Sequence, residues 1–570
     1  MINQVAERTI ARFLGIGSAF VAILVITGTV TDPVNVTKLF ALGGVAAGAF
    51  AVLLAFGIGE LWASSRSLVA ASVLLLVAGI NAVVNSDGPL VQNIYGVYGR
   101  NTAFVTYILL IFIILAASVL RARSSFTIVI WGLLGAGFAN VAYCLWAIVF
   151  GDFIPWNNPY GNILGTFGNP NFIGAFLGLF AASLVAYTFK KGVRLELRIG
   201  SALVFLIAIY EIVDSSAIQG RVVVAAGMGI VGFYLVRSKF ESVFAQIGYL
   251  LVATVGGTFA LLGALQIGPL TKYIYKTSVS LRGEYWQAGW NMGSDHPLTG
   301  VGFDAYGDWY RRARDTQALV MPGPNTVTNA AHNVPFDVFA FGGWPLFSVY
   351  IAILLLSVIA IIKVTLRTKA YDGVFVTLTT AWVCYQLQSI ISINQIGLAV
   401  WGWLFGGALI AYEIATRSKT ENAGDLPTAP KGNKGKVIKN KQSESIFSST
   451  LIAGIGAVIG LLIASPPYSA DAKWRSAITS QNVQKVEEAL VPGYLNPMNS
   501  YKYASAVQLF ESSKLPDLAL KYAKIGVEFN PNHFDSWKIL YFISKSSPED
   551  KALALANMKR LDPNNANVLG

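Results

Sequence analysis

The sequence predicts an all-α, polytopic helical membrane protein of about 12 to 13 spans, with a large extracytoplasmic loop and a C-terminal helical-repeat domain. The composition points to a membrane, because 54% of the 570 residues are hydrophobic and only 13% are charged, whereas soluble domains are about 25% charged. Apolar runs recur through the first two-thirds of the chain at lengths that cross a bilayer. The runs are continuous rather than alternating, which disfavours a membrane β-barrel.

The apolar runs give the positions of the spans. The first run follows Arg8 and Arg12 and lacks a small-x-small cleavage site, so an uncleaved first helix is favoured over a signal peptide. Two runs, 67–84 and 373–390, contain polar residues, but the alternation of basic loops requires both of them. The spans are placed at roughly 10–30, 38–57, 67–84, 104–120, 127–150, 172–188, 197–213, 221–236, 245–267, 345–362, 373–390, 396–415 and 446–465.

The basic residues of the loops predict the orientation. The loops on one side hold most of the cations, whereas the short loops opposite hold little beyond Lys38, Arg100 and Arg221. Because cytoplasmic loops retain positive charge, the amino terminus is expected in the cytoplasm. This topology accounts for the net charge of +12, so nucleic-acid binding is not favoured. The cations assigned to the cytoplasmic side are Arg8, Arg12, Arg66, Arg121, Arg123, Lys190, Lys191, Arg194, Arg198, Arg237, Lys239, Lys363, Arg367 and Lys369.

The composition divides the chain into segments. Residues 1–415 form the transmembrane domain, in which the aromatic-rich stretch 268–345 is predicted to be an extracytoplasmic catalytic loop. Residues 416–445 are a basic linker, interpreted as a solvated cytoplasmic segment close to anionic lipid. Residues 446–465 form the final span, and residues 466–570 have the composition of a soluble helical domain on the extracytoplasmic side.

The C-terminal segment contains a repeat. Amphipathic segments separate three Asx-Pro pairs whose spacing is close to the 34 residues of a tetratricopeptide repeat. Since so few repeats cannot bury their apolar faces alone, we expect this domain to rest on a neighbour, and a protein partner is possible. The pairs are Asn496-Pro497, Asn530-Pro531 and Asp562-Pro563.

His332 is the candidate catalytic residue of the loop. The chain has only three histidines. His533 follows a repeat's Asn-Pro and is expected to be structural, and His296 lies in a motif typical of a turn. His332 can take a proton near neutral pH, and the adjacent Asn333 can orient a sugar or the ring. An interfacial histidine with structural hydrogen bonds is the alternative, and the residues alone leave both open.

Arg221 is a candidate phosphate ligand. It opens an apolar helix on the side where cations are rare, and a positive charge at a helix amino terminus opposes the helix dipole unless an anion binds there. Its guanidinium offers a planar fork for phosphate oxygens. A snorkelling arginine at the interface is the alternative, but phosphate binding is favoured.

Arg282 is the second candidate phosphate ligand, and Glu284 and Trp286 beside it are candidate substrate-binding residues. The alternative is a surface ion pair between Arg282 and Glu284, which would contribute little. Further cations in the same loop predict a positive field that attracts a polyanion or a diphosphate. These cations are Lys272, Lys276, Arg311, Arg312 and Arg314.

Two further groups of residues could bind substrate or a metal. The glycine-rich turn 165–171 carries Asn169 and Asn171, which can hydrogen-bond a sugar or phosphate, although a tight re-entry into the membrane explains the turn nearly as well. Asp304 and Asp308 are spaced to share a helix face, as metal ligands or an acid/base pair. Metal-ligand spacing is otherwise absent from the sequence, so neither a metal nor a cofactor is predicted.

These motifs together resemble the O-antigen ligase and polymerase superfamily of bacterial membrane glycosyltransferases. The resemblance covers roughly residues 160–415. The motifs that carry it are Gly165 to Asn171, Arg221, Arg282, the stretch from His296 to Gly302, and His332-Asn333 with Gly343 ten residues beyond the asparagine.

The resemblance implies a metal-independent transfer of a glycan from a polyprenyl-diphosphate-linked donor, at the outer face of the bacterial cytoplasmic membrane. In such families a histidine corresponding to His332 activates the acceptor hydroxyl, arginines at the positions of Arg221 and Arg282 hold the diphosphate, and inversion is expected.

The acceptor is left open by the sequence. An O-antigen ligase would use a lipid acceptor, a polysaccharide polymerase a glycan, and an oligosaccharyltransferase a protein hydroxyl. Two different classes of protein are alternatives. The first is a flippase for lipid-linked glycan, which charges in the middle of the spans would support, but the sequence has few of them. The second is a membrane-anchored scaffold in which the repeats are the functional part.

Overall fold

The computed structural model describes residues 2–274, 277–421 and 439–569, and every regular element in these ranges is a helix. The α-helices are α1 Gln4–Arg12, α2 Ser18–Ile23, α3 Asn35–Phe56, α4 Ile58–Ser64, α5 Arg66–Val84, α6 Leu90–Tyr95, α7 Phe104–Ala117, α8 Arg123–Phe150, α9 Pro170–Thr188, α10 Leu195–Asp214, α11 Ile218–Lys239, α12 Val243–Ala264, α13 Thr271–Ile274, α14 Thr277–Asp295, α15 Tyr306–Ala313, α16 Gln317–Val320, α17 Val334–Arg367, α18 Gly373–Ile391, α19 Ile396–Glu421, α20 Lys439–Thr479, α21 Val483–Ala489, α22 Ser500–Ser512, α23 Pro516–Phe529, α24 Phe534–Phe542 and α25 Pro548–Leu561.

The helices confirm the predicted class, a polytopic helical membrane protein. Ten described helices are long and apolar enough to cross a bilayer, and α7 is a shorter apolar helix. Each predicted span falls on a helix. The first one is divided, because a π-helical turn at Phe13–Gly17 separates α1 from α2. The ten candidate spans are α3, α5, α8, α9, α11, α12, α17, α18, α19 and α20.

Small residues let the central helices approach closely, as is usual in membrane bundles. A Cβ added at Gly43 of α3 would lie 2.4 Å from the carbonyl oxygen of Gly460 in α20. Likewise, a Cβ at Gly220 of α11 would lie 2.6 Å from the carbonyl oxygen of Gly174 in α9. The second contact holds the first turn of α11, which carries Arg221, against the first turn of α9.

The predicted loop 268–345 is largely helical. It contains α14, α15 and α16, and α17 begins at Val334 rather than at the predicted Pro345. The helix α17 is kinked where Gly342 and Gly343 leave helical geometry. Gly343 has a φ of +60°, a conformation that glycine adopts without strain. The predicted start of the span at Pro345 therefore coincides with the part of α17 that follows the kink, whereas the helical part before the kink, from Val334, was not predicted.

The last span continues beyond its predicted end. Helix α20 runs through Pro466 and Pro467 to Thr479, so the predicted domain boundary at 466 falls inside a helix. Most of the predicted linker 416–445 lies outside the described residues, as does Lys276.

The C-terminal residues form two helical hairpins, α22 with α23 and α24 with α25, over an apolar core of their own. His533 has the structural role expected of it, since its Nδ1 accepts a hydrogen bond from the backbone N–H of Ser536 and caps α24. Membership of the tetratricopeptide family stays a prediction.

Candidate active site

His332 lies in the turn that leads into α17. Pro335 in the first turn and the Asn333 side chain, which accepts a hydrogen bond from the N–H of Phe336 at 3.1 Å, start this helix. On the other side of His332, the N–H of Ala331 donates to Asp337 at 2.6 Å. His332 itself has a φ of +56°, which is uncommon for a residue with a side chain. The turn is thus fixed at both ends around the imidazole.

The stretch from His296 to Gly302 supports this turn from behind. The N–H groups of Val301 and Gly302 donate to the carbonyls of Ala340 and Phe341, at 2.8 and 3.1 Å. A Cβ at Gly343 would lie 2.4 Å from the carbonyl oxygen of Pro297, so only glycine fits at the kink. The motif therefore binds the kinked backbone of α17, which agrees with the interpretation of His296 as part of a structural turn.

Helix α14 brings Arg282 and Tyr285 to His332. The two residues are three apart and so share a helix face. The Tyr285 ring lies 5.6 Å from the imidazole of His332, centroid to centroid. Burial, with the nearby charges of Arg282 and Arg100, lowers the pKa of His332 to about 4. The imidazole is therefore neutral at neutral pH, which is the state that accepts a proton.

Arg100 is a site residue that the sequence interpretation did not include. It lies between α6 and α7, and its guanidinium donates two hydrogen bonds to Oδ1 of Asn329, at 2.6 and 3.1 Å. Asn329 precedes His332 by three residues, so this contact places Arg100 beside the turn. The signal was present, because Arg100 is one of the few cations in loops that are otherwise nearly free of them.

Glu284 and Trp286 flank Tyr285 on helix α14. Burial and the neighbouring charge of Asp315 raise the pKa of Glu284, and no ion pair joins it to Arg282 among the described residues. The Trp286 ring packs on Phe336 at 5.9 Å. Its Nε1 is buried and meets no acceptor in the described part of the chain. The alternative of a surface ion pair at Arg282 is therefore not supported, and substrate contacts at Glu284 and Trp286 stay predictions.

The glycine-rich turn and Arg221 lie together. Asn169 caps α9 through a hydrogen bond from the N–H of Asn171, at 2.9 Å. The side chain of Gln219 donates to the carbonyl oxygen of Asn171. Arg221, two residues further along, is exposed, and no hydrogen bond or ion pair joins it to a described residue. Its role in phosphate binding stays a prediction.

Tyr160 connects this turn to the turn around His332. Its hydroxyl accepts a weak hydrogen bond from the Asn169 side chain, at 3.4 Å, and it lies within electrostatic range of Arg100. Arg282 and Arg100 act on His332, whereas Arg221 is not among the charges that shift its pKa. The site thus has a central group around His332 and a second group around Asn171 and Arg221.

The remaining cations of the loop are used differently from the prediction. Arg311 and Arg314 form ion pairs with Asp562 of the C-terminal hairpins, at 3.1 and 2.8 Å. The guanidinium of Arg312 lies 3.6 Å from the centroid of the Trp309 ring. The predicted field of free positive charge is therefore wrong for Arg311 and Arg314, which share a carboxylate partner within the protein.

Asp304 and Asp308 do not form a pair. Asp304 lies in a turn before α15, where its carboxylate accepts hydrogen bonds from Thr102 and from the N–H of Val97. Asp308 accepts from the side chains of Gln92 and Asn530, at 2.9 and 3.0 Å. Both carboxylates hold loops together, so neither the metal site nor the acid/base pair is supported by their contacts.

The fold and this site define a class: a multi-pass helical membrane protein in which the imidazole of His332 lies near the guanidinium groups of Arg282 and Arg100. Residues 171–351 match the model of a family described as O-antigen ligase. The matched range contains Arg221, Arg282 and His332 but leaves out Arg100 and the C-terminal hairpins. No curated protein matches the chain.

Proposed function

We propose that the protein transfers a glycan from a polyprenyl-diphosphate-linked donor to an acceptor hydroxyl, in the manner of an O-antigen ligase. The observation that carries this proposal is a neutral, half-buried His332 beside Arg282 and Arg100. The match of residues 171–351 to the O-antigen ligase family supports the same reaction class. We place the reaction at the outer face of the bacterial cytoplasmic membrane, as the charge pattern of the loops predicts.

His332 acts as the general base. The acceptor oxygen attacks the anomeric carbon of the donor while its proton passes to the free imidazole nitrogen. A histidine with an ordinary pKa would be partly protonated near neutral pH, whereas the lowered pKa of His332 keeps the base unprotonated. The attack occurs opposite the leaving group, so inversion at the anomeric carbon is expected.

Arg282 binds the departing diphosphate. The bond between the anomeric carbon and the diphosphate oxygen breaks with its electron pair, so negative charge grows on the leaving group. A guanidinium presents two parallel N–H donors to such oxygens. Arg100 adds a second positive charge near His332, and Arg221 is the candidate ligand for the same diphosphate nearer the Asn171 turn. The polyprenyl tail then lies among the membrane helices.

The test compares two histidine variants of the full chain in lipid nanodiscs. His332→Ala is expected to abolish transfer from a synthetic polyprenyl-diphosphate glycan while the donor still binds. His533→Asn, in the C-terminal hairpins, is the control and is expected to retain transfer. Turnover by His332→Ala at the rate of the unchanged protein would remove the general base from the proposal.

A second measurement separates transfer from transport. Vesicles that contain the protein and labelled donor are assayed for a new glycosidic bond and for movement of the donor between leaflets. Bond formation without net movement is expected. Movement of the donor with no bond formed, in the presence of lipid, glycan and protein acceptors, would favour a flippase.

A further inference from the structure

We infer that the C-terminal hairpins are part of the reaction site, and that Asp562 is a positioning residue that fixes the aromatic rings beside His332. The catalytic part of this inference rests on the proposed function. The contacts between the hairpins and α15 do not depend on which reaction occurs. It assigns a role to a domain that lies outside the matched family range.

The first step is the anchor between the two parts of the chain. Both carboxylate oxygens of Asp562 accept hydrogen bonds from Nη2 of Arg314, at 2.9 and 2.8 Å, and Arg311 donates to the same carboxylate at 3.1 Å. The side chains of Asp562 and Arg314 are fully buried. The side chain of Asn564 adds a hydrogen bond to the Arg314 carbonyl at 3.1 Å. Buried charged groups keep a defined geometry, because separation of the pair would leave each charge buried without a partner.

The second step leads from this anchor to the base. The Arg314 guanidinium lies 5.9 Å from the centroid of the Tyr310 ring. The Tyr310 ring meets that of Tyr285 edge-on at 5.9 Å, and Tyr285 lies 5.6 Å from the imidazole of His332. Tyr306, on the same helix as Tyr310, donates a hydrogen bond to the backbone carbonyl of Tyr285. Helix α15 therefore sets where α14 and its tyrosine lie against His332.

A third contact fixes the same helix by another route. The Asn530 side chain donates to Asp308 of α15 at 3.0 Å, and Gln92 donates to the same carboxylate oxygen at 2.9 Å. Asn530 and Asp562 belong to successive Asx-Pro pairs of the C-terminal repeat. Two of these turns therefore contact α15, so this edge of the hairpins binds another part of the same chain rather than an external partner.

The chemical consequence concerns the environment of the imidazole. The ionisable groups around His332 are Arg282 and Tyr285 of α14 and Arg100 between α6 and α7, and Asp337 of α17 accepts a hydrogen bond from the N–H of the adjacent Ala331. None of these is changed by substitution of Asp562. Loss of the anchor is expected to loosen the tyrosine rings and admit water, which favours the charged imidazolium and displaces the base from the acceptor oxygen.

The test uses the full chain with ¹³C-labelled histidine, because the three histidines give a simple spectrum and His332→Gln assigns the signal of interest. Asp562→Asn is expected to raise the titration midpoint of His332 and to lower kcat by about tenfold or more, with the donor KM nearly unchanged. Asp562→Glu, which keeps the carboxylate, is expected to bring both the titration midpoint of His332 and kcat part of the way back to the values of the unchanged protein. Asp517→Asn is the matched control, since Asp517 pairs with Lys545 on the exposed surface of the same hairpins.

A second variant covers the case in which Asp562→Asn does not fold. Asn530→Ala removes a tie to α15 without leaving a charge unpaired, and it is expected to produce the same two changes to a smaller degree. A folded Asp562→Asn, or a folded Asn530→Ala in its place, with unaltered His332 titration and kcat would overturn the inference. If His332→Ala kept full turnover instead, the proposed function would fail, while a shifted titration would still establish the positioning role.

Discussion

Two groups of arginines in neighbouring parts of this molecule have opposite surroundings. Arg311 and Arg314 meet a buried carboxylate of the C-terminal hairpins. Arg282 and Arg100 lie beside His332, and no described carboxylate is within ion-pair distance of either one. Burial lowers the pKa of both Arg282 and Arg100, and the hydrogen-bond acceptor of Arg100 is the neutral amide of Asn329 rather than a carboxylate.

This difference separates structural cations from cations that are available to a ligand. A buried guanidinium with a bidentate carboxylate has its charge satisfied, so it can hold two segments together but has little left for a diphosphate. A desolvated guanidinium without such a partner gains from the arrival of an anion. The same residue type, within one loop, is thereby assigned to architecture at Arg314 and to substrate at Arg282.

The sharpest test of the comparison is the activity of an Arg282 variant. Arg282→Ala is expected to lower kcat by about 10²- to 10³-fold, as loss of one donor to a developing anion does, with little change in melting temperature. Arg282→Lys keeps the charge but loses the planar fork, so it should recover only part of the activity. Steady-state transfer assays and thermal melts of the same preparations check both statements. An Arg282→Ala protein with undiminished kcat would place the leaving group elsewhere.

The complementary test concerns the stability of an Arg314 variant. Arg314→Ala leaves the buried Asp562 carboxylate with one partner fewer, which is expected to cost about 3–5 kcal/mol. The double change Arg314→Ala with Asp562→Leu should cost less than the sum of the two single changes, because only the charge of Arg311 is then left without its partner. Denaturation of the four proteins forms a double-mutant cycle. Additive losses in that cycle would contradict a buried ion pair.

Arg100 gives the next smaller effect. Arg100→Ala is expected to lower kcat/KM by about tenfold, because a second positive charge near the diphosphate is lost while Arg282 remains. Asn329→Ala, which removes the acceptor of the Arg100 hydrogen bonds, is the companion variant and should have a weaker effect in the same direction. The donor affinity of each protein, measured by binding of the lipid diphosphate, decides whether Arg100 acts on the donor.

The sequence was sufficient for the membrane fold and for the centre of the site. Spans follow from long apolar runs, since the bilayer imposes their length, and each predicted span fell on a helix. His332 and Arg282 were predicted together from their motifs, and the structure brings them together. The helix before the kink of α17 was missed, because Gly342, Gly343 and Pro345 are typical of the end of a loop. In the structure a helix from Val334 reaches these glycines, and helical geometry is interrupted only at the two glycines themselves.

The pairing of Arg314 with Asp562 lay beyond sequence reasoning for a simple reason. The two residues are 248 positions apart, and no local periodicity links a loop cation with a carboxylate of a distant repeat. A run of arginines in a loop has the same pattern whether its partner is a substrate or another segment of the chain. Only the tertiary contacts distinguish the two cases.

The smallest expected effect is on the decline of kcat/KM at acid pH. It is specific to His332, because it depends on the pKa of the proposed base. An ordinary histidine with a pKa of 6.5 would be about one-tenth unprotonated at pH 5.5, whereas His332 with a pKa of about 4 stays neutral there. We therefore expect kcat/KM at pH 5.5 to be within about twofold of its value at pH 7.5. A roughly tenfold decline, with the fold intact by circular dichroism, would show that the base titrates normally.

In contrast to the activity, the stability of the folded protein should decrease at acid pH because of His332. The folded state holds His332 neutral, while the unfolded chain protonates it near pH 6.5, so the unfolded state binds more protons in acid. The contribution of His332 is thus fully present above pH 6.5 and is lost as the pH falls from there toward 4. His332→Gln removes this titration, so its melting temperature should decline less between pH 7 and pH 5 than that of the unchanged protein. Equal declines would mean that the imidazole of His332 is hydrated in the folded state. The surroundings of His332 would then differ from those of Arg314, whose side chain is fully buried.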